Sequence, residues 1–239
     1  MTIANLLKTR NARLLPPINQ TIPHEEWLKT ARYLAENYPL FDILRRDLNQ
    51  YSQGAAPTTR AQHEMLKLLE SRGFVKTRDN KRYYLANDNE ARRFITGAWL
   101  EMLAHAALMQ AGADEAVHGQ RLQWKVGPYQ GRNEIDVIAR KRQRLILVSC
   151  KAIGARMNGQ QTQLMRHLDQ TDNLADHFGR KGDKAVLLVT TDLWDEARQN
   201  KARYPALHGK AKVLDVHLVT LEDLEWNRLV ARFRTIMRY

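Results

Sequence analysis

Residues 133–151 read NEIDVIARKRQRLILVSCK, a pattern of two strands joined by a short basic turn. The second half contains the continuous apolar run Leu145 to Val148, the mark of a central strand covered on both faces. The first half alternates, so Glu134 and Asp136 fall on one face while Ile135 and Val137 point to the core on the other. Past Val148, Ser149 and Lys151 share a face and Cys150 points the opposite way. Two readings fit this pair: a hard-cation site, whose ligands are carboxylate oxygens, or a solvated strand face. A lysine at the tip of the neighbouring strand orients a water or stabilises negative charge developing on a phosphate, or it simply carries its charge out to solvent.

On the N-terminal side, residues 87–112 read as one long helix, capped at Asn87 or Asn89 and stopped at Gly112. Glu101 lies on its apolar face, with Phe94, Gly97, Ala98, Ala104 and Leu108 at helical spacing. A carboxylate there lines a cleft, or it is paired with His105 one turn on or with an arginine. A strand at 121–126 follows. After the 133–151 pair come a helix from about Gln160 to His177, a buried strand at 184–192 and a helix at 195–207. A strand at 211–220 and a helix at 221–237 complete the order. Helix–β–β–β–helix–β–helix–β–helix is an α/β (α+β) arrangement, a mixed sheet flanked by helices.

The N-terminal third is helical in pattern. Pro16, Pro17 and Pro23 break residues 1–23, which form a separate segment. His24-Glu25-Glu26 leads into an amphipathic helix, Pro39 separates a second, and Thr58 or Thr59 caps a third that ends at Gly73. Residues 74–86 read as two short strands around a turn at Asp79-Asn80. Three helices and a basic hairpin are the order of a winged helix, spanning residues 24–88 and leaving 89–239 as the second domain. Two readings fit its basic residues. Arg60, Lys67, Arg72, Lys76, Arg78, Lys81 and Arg82 contact phosphates, or they face water on a connector.

The 239 residues carry 38 Lys and Arg against 26 Asp and Glu, a net charge of +12 that favours a polyanionic partner. The excess divides evenly, +6 on residues 1–98 and +6 beyond, so no basic tail accounts for it. No apolar run approaches the ~18 residues of a membrane span. One cysteine, Cys150, excludes an internal disulfide framework and a multi-cysteine zinc site, which suits a reducing, cytoplasmic setting. There is no P-loop, dinucleotide fingerprint, HExxH or nucleophile elbow.

Three motifs carry a family likeness. GAWLE (Gly97 to Glu101), NEIDV (Asn133 to Val137) and LVSCK (Leu147 to Lys151) resemble the PD-(D/E)xK nuclease superfamily, with its restriction-endonuclease-like fold. More narrowly they resemble the winged-helix and nuclease part of the CRISPR-associated CARF nucleases, over roughly residues 24–239. The resemblance implies a Mg²⁺- or Mn²⁺-dependent nuclease acting on DNA or RNA, single strands above all, as a homodimer in antiviral defence. In that family a CARF domain senses cyclic oligoadenylate. Residues 1–239 have no room for one, so a cyclic oligonucleotide is a partner only if a CARF domain exists elsewhere.

By the same resemblance, Asp136 is the central metal ligand, Glu101 holds the metal directly or through water, and Lys151 stands beside the attacking water. Cys150 offers its backbone carbonyl to the metal, and Gln160, Gln161 or Gln163 fills the glutamine place of the following helix. Glu134 supplies further charge. Arg140, Lys141 and Arg142, together with Lys76, Lys81 and Arg82, are candidate nucleic-acid contacts. The departure is Ser149, which stands where the motif carries an acid. Three accounts fit: the site works with Glu101, Asp136 and Glu134; Ser149 is an inactivating substitution; or catalysis is lost and nucleic-acid binding kept. A dimeric scaffold is a third function class.

Overall fold

The computed structural model describes residues 1–16, 25–50, 54–78, 81–156, 161–195 and 201–238. Pro17, Pro23, His24, the Asp79-Asn80 turn, Gln160 and residues 196–200 lie outside the described residues.

A six-stranded mixed sheet organises the molecule, in the order β1-β4-β5-β6-β7-β10. Its members are β1 (Ala12–Leu14), β4 (Glu115–Val126), β5 (Tyr129–Lys141), β6 (Arg144–Lys151), β7 (Lys184–Val189) and β10 (Val216–Val219). The first four pair antiparallel; β6, β7 and β10 run parallel. The parallel pairs need crossovers. Helix α7 (Gln161–Phe178) supplies one and α8 (Pro205–Val213) the other.

The helical third comprises α2 (Glu25–Glu36), α3 (Tyr38–Asn49) and α4 (Arg60–Ser71), followed by the hairpin of β2 (Val75–Thr77) and β3 (Tyr83–Leu85). Thr59 caps α4 in a reciprocal capping box with Gln62. These helices share one continuous apolar core with α6 (Trp99–Gln110), α9 (Trp226–Arg238) and one face of the sheet. Tyr38, Phe41 and Trp99 meet at its centre, the ring centroids 5.6 to 6.1 Å apart. The other face is covered by α1 (Ile3–Lys8), Phe178 and Leu174 over β4 to β6, and by α7 and α8 over β7 and β10. Among the described residues no helix is long and apolar enough to cross a membrane.

Several elements differ from the sequence expectation. The helix expected over 87–112 is broken. Asp88 caps α5 (Asn89–Arg93), a wide π-turn covers Phe94–Ala98, and α6 starts afresh at Trp99. The break is at Gly97, whose backbone leaves the helical region (φ 176°, ψ −25°); glycine holds a helix poorly. Residues 195–207 are not one helix. Trp194–Asp195 (β8) pairs with Lys201–Ala202 (β9), and the helix begins at Pro205. Proline suits a first helical position and forces its predecessor, Tyr204, out of the helical region. The strand expected at 211–220 is only β10, because α8 continues to Val213 and Asp215 turns the chain with φ 51°. The N-terminal segment is part of the fold, since β1 extends the sheet along β4.

Helix α3 also grips the loop that follows β6. Tyr38 Oη donates to Ile153 O at 2.6 Å and Arg45 to Ala152 O at 3.1 Å. The Ala155 amide donates to Asp42 Oδ2 at 3.3 Å, and Arg45 pairs with Asp42 Oδ1 at 3.0 Å. Burial pushes the Tyr38 hydroxyl up to about 12, so it stays a donor at all working pH values. Asp42→Ala leaves the mostly buried Arg45 guanidinium without its partner. Chemical denaturation should show a loss of about 3 kcal/mol.

Candidate active site

The β5–β6 ladder runs from Lys141–Arg144 up to Val137–Val148 and stops there, whereas β6 stays paired with β7 through Lys151. The strands part at Asp136, and its carboxylate fills the gap. Asp136 Oδ2 accepts from the Cys150 amide at 2.6 Å, from Lys151 Nζ at 3.1 Å and from Ser149 Oγ at 3.3 Å. Charge-assisted bonds of this kind fix both the carboxylate and the ammonium. Ser149 is 6% exposed, so its hydroxyl is a structural donor. The Cys150 side chain packs into the main core, and burial, with Asp136 and Glu101 nearby, pushes its thiol well above the usual range. It is no thiolate nucleophile.

Ile135 and Val137 are both buried, but not on one face. Ile135 packs with Leu122, Ile138 and Leu147, Val137 with the α6 core. The alternation expected along this strand is therefore interrupted at Asp136. The partner position is Gly119 on β4, flanked by the pairs His118–Val137 and Gln120–Ile135. Gly119 sits at φ +59°, where a side chain is strained. The register holds on either side while both strands exchange faces together.

This geometry brings Glu101 close. A Cβ on Gly119 would lie 3.7 Å from Glu101 Oε2 and 3.9 Å from an Arg93 guanidinium nitrogen. Burial, then the charges of Asp136 and Glu134, raise the Glu101 carboxyl to about 7, against the pull of Arg93 and Lys151. The arginine one expects near such a carboxylate is thus Arg93. His105 instead bonds the Ala116 carbonyl at 3.1 Å and packs against His118, with 5.1 Å between centroids. Burial lowers both imidazoles, His118 to about 4.

On the α7 side a cavity of about 360 Å³ is lined by Glu134, Asp136, Ser149 and Lys151, closed by Gln170, Asn173 and His177. These last three had no signal beyond helical spacing from Gln163. Gln163 itself lines a different cavity, with Asp42, Arg45 and Arg156. Arg140, Lys141 and Arg142 lie at the other end of β5–β6: Arg140 and Lys141 stand beside Leu145 and Arg144 on β6, well down the strand from Lys151, roughly 20–24 Å by strand rise. There Arg140 and Lys141 pair with Asp114, at 3.1 and 3.4 Å. Lys76, Lys81 and Arg82 sit on the β2–β3 hairpin and its connection. Among the described residues, no three His, Cys, Asp or Glu side chains form a metal-holding group.

The mixed sheet, with an acid and a lysine where two central strands part, defines the PD-(D/E)xK-type nuclease class. The chain belongs to the family described as "Card1-like, endonuclease domain", matched over residues 88–219. No curated protein matches the chain by sequence. Among solved structures, protein VC1899 from Vibrio cholerae superposes with a TM-score of 0.69 at 20% identity, over 99% of this chain and 62% of that one. Can2 from Sulfobacillus thermosulfidooxidans, solved with cyclic tetra-adenylate, gives 0.66 at 14% identity, over 98% and 61%. The chain spans about three fifths of the length of these proteins.

The raised Glu101 carboxyl sets a pH dependence. In the folded state it binds its proton up to about 7, in the unfolded chain only to about 4.5. Stability is therefore full below the lower value and falls as pH rises through the upper one. With chelator present, Glu101→Gln should melt higher than wild type at pH 8, by at most about 3 kcal/mol. The difference should vanish near pH 4 in melting curves taken across that range.

Proposed function

We propose that the chain is a divalent-metal-dependent nuclease that hydrolyses phosphodiester bonds, single-stranded DNA or RNA above all, in CRISPR-linked antiviral defence. The observation that carries this is Asp136 and Lys151 in direct contact, with Glu101 beside them, inside the family-matched segment. Mg²⁺ or Mn²⁺ fits the donor set. Asp136, Glu101 and the Cys150 carbonyl supply few, hard oxygen ligands, and Mg²⁺ takes one or two carboxylates and leaves its remaining positions to water and phosphate. Burial first, then the charges of Asp136 and Glu134, raise the Glu101 carboxyl, and a cation would offset the second of these. When bound, the metal polarises the phosphate and lowers the pKa of a water.

The chain's own residues do the rest. Lys151, fixed by Asp136, holds the attacking water or meets the charge that grows on the phosphate oxygens. Glu101, titrating near neutrality, is placed to hold or release a proton on a water at that phosphate. The net charge of +12 holds the polyanion without reading its bases. Homodimerisation follows the family resemblance. A cyclic oligonucleotide would act through a separate sensor domain, which the described residues do not include.

One observation favours a second reading. Ser149 places a buried hydroxyl donor, not a carboxylate, against Asp136. On this reading the chain binds nucleic acid with little or no turnover.

Labelled single- and double-stranded DNA and RNA, incubated with Mn²⁺ or with chelator, test the proposal. We expect Mn²⁺-dependent cleavage that Asp136→Asn and Lys151→Ala each reduce by at least about 100-fold. Wild-type activity in either variant would falsify the site assignment. Salt-sensitive binding without any cleavage selects the second reading. Ser149→Glu restores the missing charge and should tighten Mn²⁺ binding by about 10- to 100-fold, read by titration calorimetry.

A further inference from the structure

We propose that the β4–β5 hairpin carries a base-stacking platform for a single-stranded nucleic acid, running outward from the Asp136–Lys151 cavity. The proposal rests on the nuclease reading and adds to it the part of the substrate that is gripped.

The platform is built around Trp124. Its cross-strand partner is Gly131, and a Cβ there would lie 2.3 Å from the indole ring. The ring therefore lies against bare backbone, in a place that any side chain at 131 would close. The indole N–H donates to Asn133 Oδ1 at 3.3 Å, and the ring edge meets Phe178 at 6.4 Å between centroids. Trp124 is held by the Gly131 backbone, Asn133 and Phe178.

Two further rings continue the row. Tyr129 lies 5.5 Å from Trp124, tilted by 51°, and His177 lies 5.1 Å from it, edge-on at 63°. The His177 Nδ1–H donates to the Asn173 carbonyl at 2.8 Å, which fixes the imidazole. Asn133, Asn173 and His177 line the same cavity as Asp136 and Lys151. The row thus begins at the rim of the candidate active site and ends at Tyr129, which is 64% exposed. A tyrosine that served only to finish a hairpin would have no need of this contiguity.

The chemistry selects the occupant. Rings with open faces stack the flat faces of nucleobases, whatever their identity. In a duplex the base faces are already stacked on one another. The platform therefore selects single strands and places a base next to the phosphate that Lys151 meets.

The test is binding, measured in chelator so that no metal chemistry enters. Fluorescence anisotropy with labelled oligo-dT, oligo-U and an oligo-dT·oligo-dA duplex compares wild type with Tyr129→Ala and Tyr129→Phe. Tyr129 is exposed, so its truncation leaves the fold intact. We expect Tyr129→Ala to weaken both single strands by about 5- to 100-fold, with Tyr129→Phe near wild type and the duplex unchanged. Trp124→Leu, checked for an unchanged melting temperature, should act in the same direction. Equal losses on single strands and duplex, or none on either, overturn the platform while cleavage by the wild type leaves the nuclease reading standing. A Tyr129→Ala variant that binds normally but elutes as a smaller species overturns it in favour of a protein contact. A wild type that neither binds nor cleaves any strand removes both.

Discussion

The hydrogen bond from the Cys150 amide to Asp136 Oδ2, at 2.6 Å, is the contact on which the site depends. Strand β6 stays paired with β7 to its end, while β5 leaves it after Val137. That divergence opens the cleft, and it removes a ladder partner from the Cys150 amide. A buried amide without a partner is costly. A carboxylate supplies a side-chain acceptor where the ladder no longer supplies a carbonyl. The same oxygen then draws Lys151 to 3.1 Å. One residue closes the structural gap and orients the group that would act on a phosphate.

The cleft is held from two directions. From the sheet, Gly119 lets β4 and β5 exchange faces at the level of Asp136, and with no side chain there α6 brings Glu101 near the gap. From the helical third, Tyr38, Asp42 and Arg45 tie down the loop immediately after Lys151. Thr190 adds a bond to the Ile153 amide at 2.8 Å from the end of β7. The helices before residue 88 are therefore mechanically part of the site, although they place no carboxylate in it.

Much of this was legible in the sequence. The apolar run 145–148, the helix after it and the buried strand at 184 announce themselves by pattern, and each appears where expected within a few residues. Asp136, Ser149, Lys151 and Glu134 do line one cavity. What could not be read depends on distant partners or on backbone outside the regular regions. β1 is three residues long and is defined only by pairing with residues 122–124. The exchange of faces at Gly119 breaks the period-two rule that placed Ile135 and Val137 together. The His105–His118 contact joins a helix to a strand whose first half, from Glu115, has too mixed a pattern to declare itself. The restart at Pro205 was visible in principle, since the residue before a proline resists the helical region.

Ser149 takes on a different meaning in this setting. Glu101 is already driven to about 7 by burial and by the charges of Asp136 and Glu134. A carboxylate at 149 would add another negative charge to the same half-buried space and, without a cation, would push Glu101 higher still. The serine removes that repulsion and gives Asp136 a further donor. It stabilises the metal-free fold and lowers the charge that would attract a cation, the opposition between stability and function expected where like charges are gathered for catalysis. Metal affinity and metal-free stability should therefore move in opposite directions at position 149, because both are set by the same repulsion around Asp136.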